Sequence, residues 1–420
     1  MISVLAFVVT VLGWILLSRR LEGWSVTAPI VLMVAGFVAG KVLHTVGNLD
    51  AESLRLLIEV TLAVVLFVDA SAIAVRWFRT SWQYPMRLLG IGLPLTIVLG
   101  TVVAALMFPG HDIWLVAVIG AALAPTDAAL GVSIIENERI PLRLRQVINV
   151  ESGLNDGLVT PIVSFCIAIA AATVEGVADR PFVSAVVAIL LGTAVGYLVG
   201  AAAALVLLVA REREWAAPAL VPIAPVVVAI GTYLLVVELG GNGFVAAFVC
   251  GVGFGSVTRR RGGATSAGGN RASHEQENAA LLGFTHRTAE LLGFAVWFVF
   301  GESVLGTLGA DHLVMAIGYA ALSLTVLRML PVAISALGLH LPRDVVLLVG
   351  WLGPRGLASI IFAILAADAI GGSDGSFVLT VVATTVAMSA LAHGLSAGPL
   401  ADWYSARHPV EPESAGSSDA

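Results

Sequence analysis

Glu151, Ser152, Asn155 and Asp156 put two acids, a hydroxyl and an amide inside Val147 to Val174, a stretch otherwise apolar and long enough to cross a bilayer as a helix. A charged Asp at the centre of such a helix costs about 2.5–3.5 kcal/mol on insertion scales, so acids placed there need a task or a partner. At helical spacing Glu151 stacks on Asn155 and Ser152 on Asp156, which sends all four side chains from roughly one side. Gly153 and Gly157 loosen the turns between them. A polar contact between membrane helices can be made from Ser, Asn and small residues without two acids. An ion or proton site accounts better for the set.

Other polar residues fall at similar depth. Asp69 lies in Leu66-Phe67-Val68-Asp69-Ala70-Ser71, where it either joins the site or snorkels from a helix end. Ala124-Pro125-Thr126-Asp127 interrupts an apolar run near its middle. Proline removes a donor and disfavours helix before it, while Thr and Asp cap a helix that follows, so the sequence spells a broken membrane helix. Trp351-Leu352-Gly353-Pro354-Arg355-Gly356 spells a second one, and Arg328 stands about halfway across the preceding segment. Broken helices expose backbone carbonyls and are tolerated beside a cavity or packed protein, the pattern of a midplane binding site. Four deep acids, Asp69, Asp127, Glu151 and Asp156, face two deep bases, Arg328 and Arg355. If each arginine pairs with one acid, two acids remain to take a proton or a cation.

The elements that must hold these residues are membrane helices. The 420 residues are 58% hydrophobic and only 12% charged, far too little charge for the surface of a water-soluble fold of this size. About thirteen apolar segments can be marked, near 2–18, 27–45, 54–75, 87–108, 113–135, 147–174, 181–210, 217–238, 242–258, 279–300, 312–338, 344–368 and 375–400. Arginines cluster after odd-numbered segments (Arg19, Arg20, Arg76, Arg79, Arg139, Arg143, Arg145, Arg211, Arg213, Arg259 and others), whereas only Lys41, Arg55 and Arg180 follow even-numbered ones. The positive-inside rule then puts the amino terminus outside and the carboxyl terminus in the cytoplasm. Met1 to Leu17 lacks a basic flank before it and reads as a first membrane helix, not a cleaved signal.

The expected fold is thus an all-α polytopic membrane protein with two inverted repeats and interrupted crossing helices near 124–127 and 353–356. Residues 1–400 form the membrane domain, with 259–278 as a flexible cytoplasmic loop between the halves, and 401–420 form a short disordered tail. Cys166 and Cys250 have no metal-binding spacing and make no disulfide framework.

Taken together, the Thr126-Asp127 break, Glu151-Ser152-x-x-Asn155-Asp156, Arg328 before Met-Leu-Pro-Val, and Gly-Pro-Arg355-Gly resemble the monovalent cation:proton antiporters. The resemblance spans about residues 2–400 and is to the sodium/proton exchanger branch with an Asn-Asp pair. It implies a homodimer in which a core bundle moves against a dimerisation bundle, giving alternating access. It implies that Asp156 carries cation and proton alternately and that exchange is one for one without net charge. By position it gives Asp156, Ser152, Asp69 and a carbonyl at Thr126 to the cation. It makes Glu151–Arg328 a structural ion pair, lets Asn155 orient the broken helix, and sets Asp127 and Arg355 against the facing dipole ends. Two positions depart from the family pattern: Ala128 where many relatives have proline, and Asp69 where glutamate is common.

Sodium and lithium are hard cations that favour carboxylate, hydroxyl and carbonyl oxygens, and no soft Cys, Met or His cluster competes. No cofactor is expected beyond the transported Na+ or Li+ and H+; the partners are those ions, the lipid bilayer of the plasma membrane and a second copy of the chain, not nucleic acid. An intramembrane hydrolase would need a nucleophile with its base. His-Glu-x-x-His is absent, and Gly301-Glu302-Ser303-Val304-Leu305 lacks the second glycine of a nucleophile elbow. A potassium/proton exchanger on the same scaffold and a cation channel with acidic selectivity remain as alternatives.

Overall fold

A computed structural model describes residues 2–42, 51–72, 83–127, 140–175, 181–264, 271–306, 308 and 312–407. Among these the regular secondary structure is helical, and each apolar segment of the sequence carries helix where it is described. The helices, in order, are α1 (Ile2–Glu22), α2 (Ala28–Val42), α3 (Ala51–Ala72), α4 (Gln83–Met107), α5 (Ile113–Ala122), α6 (Leu142–Glu175), α7 (Pro181–Glu212) and α8 (Ala224–Glu238). They continue as α9 (Gly243–Ala264), α10 (Arg271–Val299), α11 (Leu313–Leu324), α12 (Val326–Ala336), α13 (Arg343–Trp351), α14 (Leu357–Ile370) and α15 (Gly372–Arg407). Eight helical stretches are long and apolar enough to cross a membrane. The broad apolar surface left outside, such as Leu16, Leu106, Val206 and Val314, fits a hydrocarbon surround better than water.

Helices pack in two groups. In one, α9 lies along α7 and α3, and α10 lies along α2 and α3. Small residues set these distances: a Cβ on Gly196 or Gly200 would sit 2.4 or 2.1 Å from the carbonyl oxygens of Ala246 or Cys250. In the other group α5, α6, α14 and α15 surround the two interruptions, and α4 with α11 and α12 closes the outside. The first group meets the second chiefly where α7, α3 and α9 touch α6.

Both interruptions are present. The chain leaves helix after Ala122 and again between Trp351 and Leu357. The second half of the first broken segment, 128–135, together with Ala128 and Arg139, lies outside the described residues. Two boundaries differ from expectation. Residues 259–278 are helical to Ala264 and again from Arg271, where Ala, Glu and Gln favour helix, and 265–270 lie outside the described residues. Residues 401–407 continue α15 rather than beginning a tail, since Tyr404 is buried beside Leu144 and Leu348; 408–420 lie outside the described residues.

Candidate ion site at two interrupted helices

The two breaks hold each other open. Arg355 is fully buried and its Nη1 donates to the carbonyls of Ala124 at 2.6 Å and Pro125 at 3.2 Å. Those oxygens end α5, where a helix has carbonyls without partners and favours positive charge. In return Asp127 Oδ2 accepts from the backbone N–H of Leu357 at 3.0 Å, so a carboxylate from one broken helix caps the start of the other. A backbone bond from Asp127 N to Pro354 O, 2.8 Å, ties the crossing directly. Gly356 is required here, because a Cβ would lie 2.0 Å from Asp127 Oδ2.

Arg355 thus departs from the simple pairing of each arginine with an acid. Its guanidinium is given to main-chain carbonyls, which offer partial negative charge without another carboxylate. Arg328 does take an acid: Nη1 and Nη2 meet Glu151 Oε1 and Oε2 at 2.6 and 2.9 Å, a two-pronged pair with both side chains 5% exposed.

The remaining polar residues of α6 converge on Thr126. Ser152 Oγ donates to the Thr126 carbonyl at 2.5 Å, and Asn155 Nδ2 donates to Thr126 Oγ1 at 2.6 Å. Asp156 is buried in the next position of the same face, and its Oδ1 has no hydrogen-bond partner. Asp69 on α3 is partly buried, and its charge and that of Asp127 act on Asp156. Asp69, Thr126, Ser152 and Asp156 therefore share one region, with Glu151, Asn155, Asp127, Arg328 and Arg355 bracing it. The open groups are oxygens, and among the described residues no three His, Cys, Asp or Glu side chains gather as a metal group. A hard monovalent cation suits that donor set.

The chain as a whole is similar to known proteins. The family model for the transmembrane sodium/hydrogen exchanger matches residues 6–403. The chain belongs to the sodium/hydrogen exchanger family. A curated relative, the K(+)/H(+) antiporter NhaP of Alkalimonas amylolytica, is 24% identical over 418 residues, covering 98% of this chain and 68% of that protein. The sodium proton antiporter MjNhaP1 of Methanocaldococcus jannaschii at pH 8 superposes with a TM-score of 0.74 at 17% identity, over 95% of this chain and 96% of that one. An electron-microscopy structure of the same antiporter gives a TM-score of 0.70 at 16% identity, over 97% of this chain and 98% of that one. At these identities the structural likeness is one of fold. This exchanger-family chain is accordingly an all-helical, multi-pass membrane protein of the cation/proton antiporter class.

Several residues around the crossing escaped the reading of the sequence. Ser389 Oγ accepts the backbone N–H of Arg355 at 2.7 Å, and His393 lies one turn further along α15. A histidine inside an apolar segment was the available signal, since ionisable residues are rare there. Ser389 carried none, being one hydroxyl in a helix already rich in Ser and Thr.

Proposed function

We propose that this protein exchanges cytoplasmic Na+ or Li+ for external H+, one for one and without net charge, by alternating access. The observation that carries the reading is the buried Asp156 Oδ1 without a partner, beside the Thr126 main chain, Ser152 and Asp69. A carboxylate so placed can hold a proton or a cation and not both, which couples the two without a second site. Asp156, Ser152, Asp69 and the Thr126 carbonyl would hold the ion as it passes. Glu151–Arg328, Asn155, Asp127 and Arg355 keep the broken helices in register. The substrates need no cofactor. Residence in the plasma membrane as a homodimer, with the amino terminus outside, agrees with the arginine distribution and with the family.

A second reading has its own support: the curated relative is named a K(+)/H(+) antiporter. Nothing in an oxygen donor set by itself fixes the ion's size. One experiment separates the readings. The purified protein in liposomes receives Na+, Li+ or K+ in turn while internal pH is followed, with the membrane potential free or clamped. Na+- and Li+-driven pH change, insensitive to the clamp, is the expected outcome. A response to K+ alone selects the second reading. Steady cation current without proton counterflow overturns antiport.

A further inference from the structure

We infer that His393 is a positioning residue of the ion site, acting through Ser389 on the break at Arg355. On α15, Ser389, His393 and Ser396 recur at one-turn intervals and share a face. Each touches the second interruption. Ser389 Oγ takes the Arg355 backbone N–H at 2.7 Å, an N–H that the break leaves without a helical partner. His393 Nδ1 stands 3.2 Å from that hydroxyl and 3.0 Å from the Ser389 carbonyl. Its ring packs on Trp351, centroids 4.9 Å apart, and has the Trp351 main chain as another polar neighbour. Trp351 Nε1 in turn donates to Ser396 Oγ at 2.9 Å. One helix face therefore grips the break at two points, Trp351 before it and Arg355 within it.

The grip reaches the ion site by a short path. A hydroxyl bound on one side by Arg355 N–H must be held in one rotamer for that bond to keep its length, and His393 Nδ1 is its neighbour on the other side. The Arg355 backbone fixes where the guanidinium starts, and the guanidinium holds the Ala124 and Pro125 carbonyls. The next carbonyl in the chain is that of Thr126, the one bound by Ser152. Loss of the His393 contact should move this carbonyl and weaken cation binding, while the proton chemistry of Asp156 stays as it was. His393 is 1% exposed, so its ring has the Ser389 hydroxyl and carbonyl, not water, as the polar groups facing Nδ1.

The inference rests on the antiport reading, and wild-type exchange is the control that tests that reading separately. Asn and Leu at 393 have the same shape and both lose the ring contact with Trp351, but only Asn keeps a polar atom where Nδ1 stands. His393→Leu should raise the apparent KM for the cation roughly tenfold, as expected for a buried hydrogen-bonding group left unmatched. His393→Asn should recover most of it. Ser389→Ala should reproduce the Leu effect, and the Ser389→Ala/His393→Leu pair should be no worse than either alone. The pH profile of His393→Asn should keep the wild-type acid limb. Equal KM values for Asn and Leu, additive effects in the pair, or an acid limb displaced alike in both His393 variants would overturn the inference. If His393→Leu fails to reach the membrane, Ser389→Ala against Ser389→Thr, which keeps the hydroxyl, asks the same question from the other end.

Discussion

Asp156 keeps one side-chain oxygen, Oδ1, buried without a partner. Asn155 Oδ1 is also without one, but Asn155 Nδ2 and Ser152 Oγ are each bonded to Thr126. Asp156→Asn keeps the shape and does not add to the cost of insertion, but it removes the ability to hold proton and cation in turn. The variant should reach the membrane at wild-type level and show no sodium-driven pH change in liposomes; robust exchange by it would take Asp156 out of the mechanism. Glu151 and Arg328 are the opposite case, two charges that satisfy each other away from water. Neutralising either one alone should destabilise the fold by about 3–5 kcal/mol, because the partner is left buried and charged. The double variant Glu151→Gln/Arg328→Gln should recover part of that loss. Thermal melts of all four proteins in detergent give the coupling, and strictly additive losses would deny the pair an energetic role.

Among elements, the two interrupted helices place main-chain oxygens where a straight helix would have spent them. Proton and cation then compete for the same group, so lowering pH should weaken apparent cation affinity by about tenfold per unit once protonation dominates. Exchange measured at equal pH on both sides should be bell-shaped, limited by cation loading at low pH and by proton supply at high pH. Ser152 touches the Thr126 carbonyl, so Ser152→Ala should move the optimum clearly, while replacing His274 and His286 together should move it little. If the histidine variant lost its acid-side inhibition and Ser152→Ala left the profile alone, competition at Asp156 would be the wrong account. The breaks were legible because proline, glycine and a capping Asp inside apolar runs admit few other readings. So were the acids of α6, since nothing else in 147–174 is charged. What Arg355 would hold was legible only through the resemblance, which set it against a dipole end: the residues alone display carboxylates as partners but hide carbonyls, which every residue carries. The extension of α9 and α10 into 259–278 was hidden for a related reason. Arg, Gly and Ser read as loop by composition, although helix already under way at either end can run on through them.

At the scale of the whole molecule, the loop between α4 and α5 meets the start of α15. His111 lies flat on Phe377, ring centroids 3.8 Å apart, with Asp374 Oδ1 3.9 Å from its Nδ1. Burial lowers the proton affinity of His111 below the ordinary histidine value, and His312 adds to this while Asp374 opposes it. The folded protein then binds fewer protons here than the unfolded chain does. Stability from this contact is full above the ordinary histidine range near 6.5 and is lost as pH falls through it toward the lowered value. Melting temperatures between pH 8 and pH 5 should fall less steeply for His111→Gln than for wild type. Parallel slopes would show that the contact carries no pH dependence.

The mutual capping of the two breaks also has a consequence for how the protein is made. The groups that satisfy Ala124, Pro125 and Asp127 come from residues 230 or so positions later in the chain. At synthesis rates of about 5–20 residues per second, the first break waits roughly 10–50 s before Arg355 and Leu357 leave the ribosome. During that interval exposed carbonyls and a capping carboxylate sit in or beside the bilayer, where unsatisfied polar groups are costly. The crossing can close only once Arg355 and Leu357 have emerged, so its assembly is bound to one order of events.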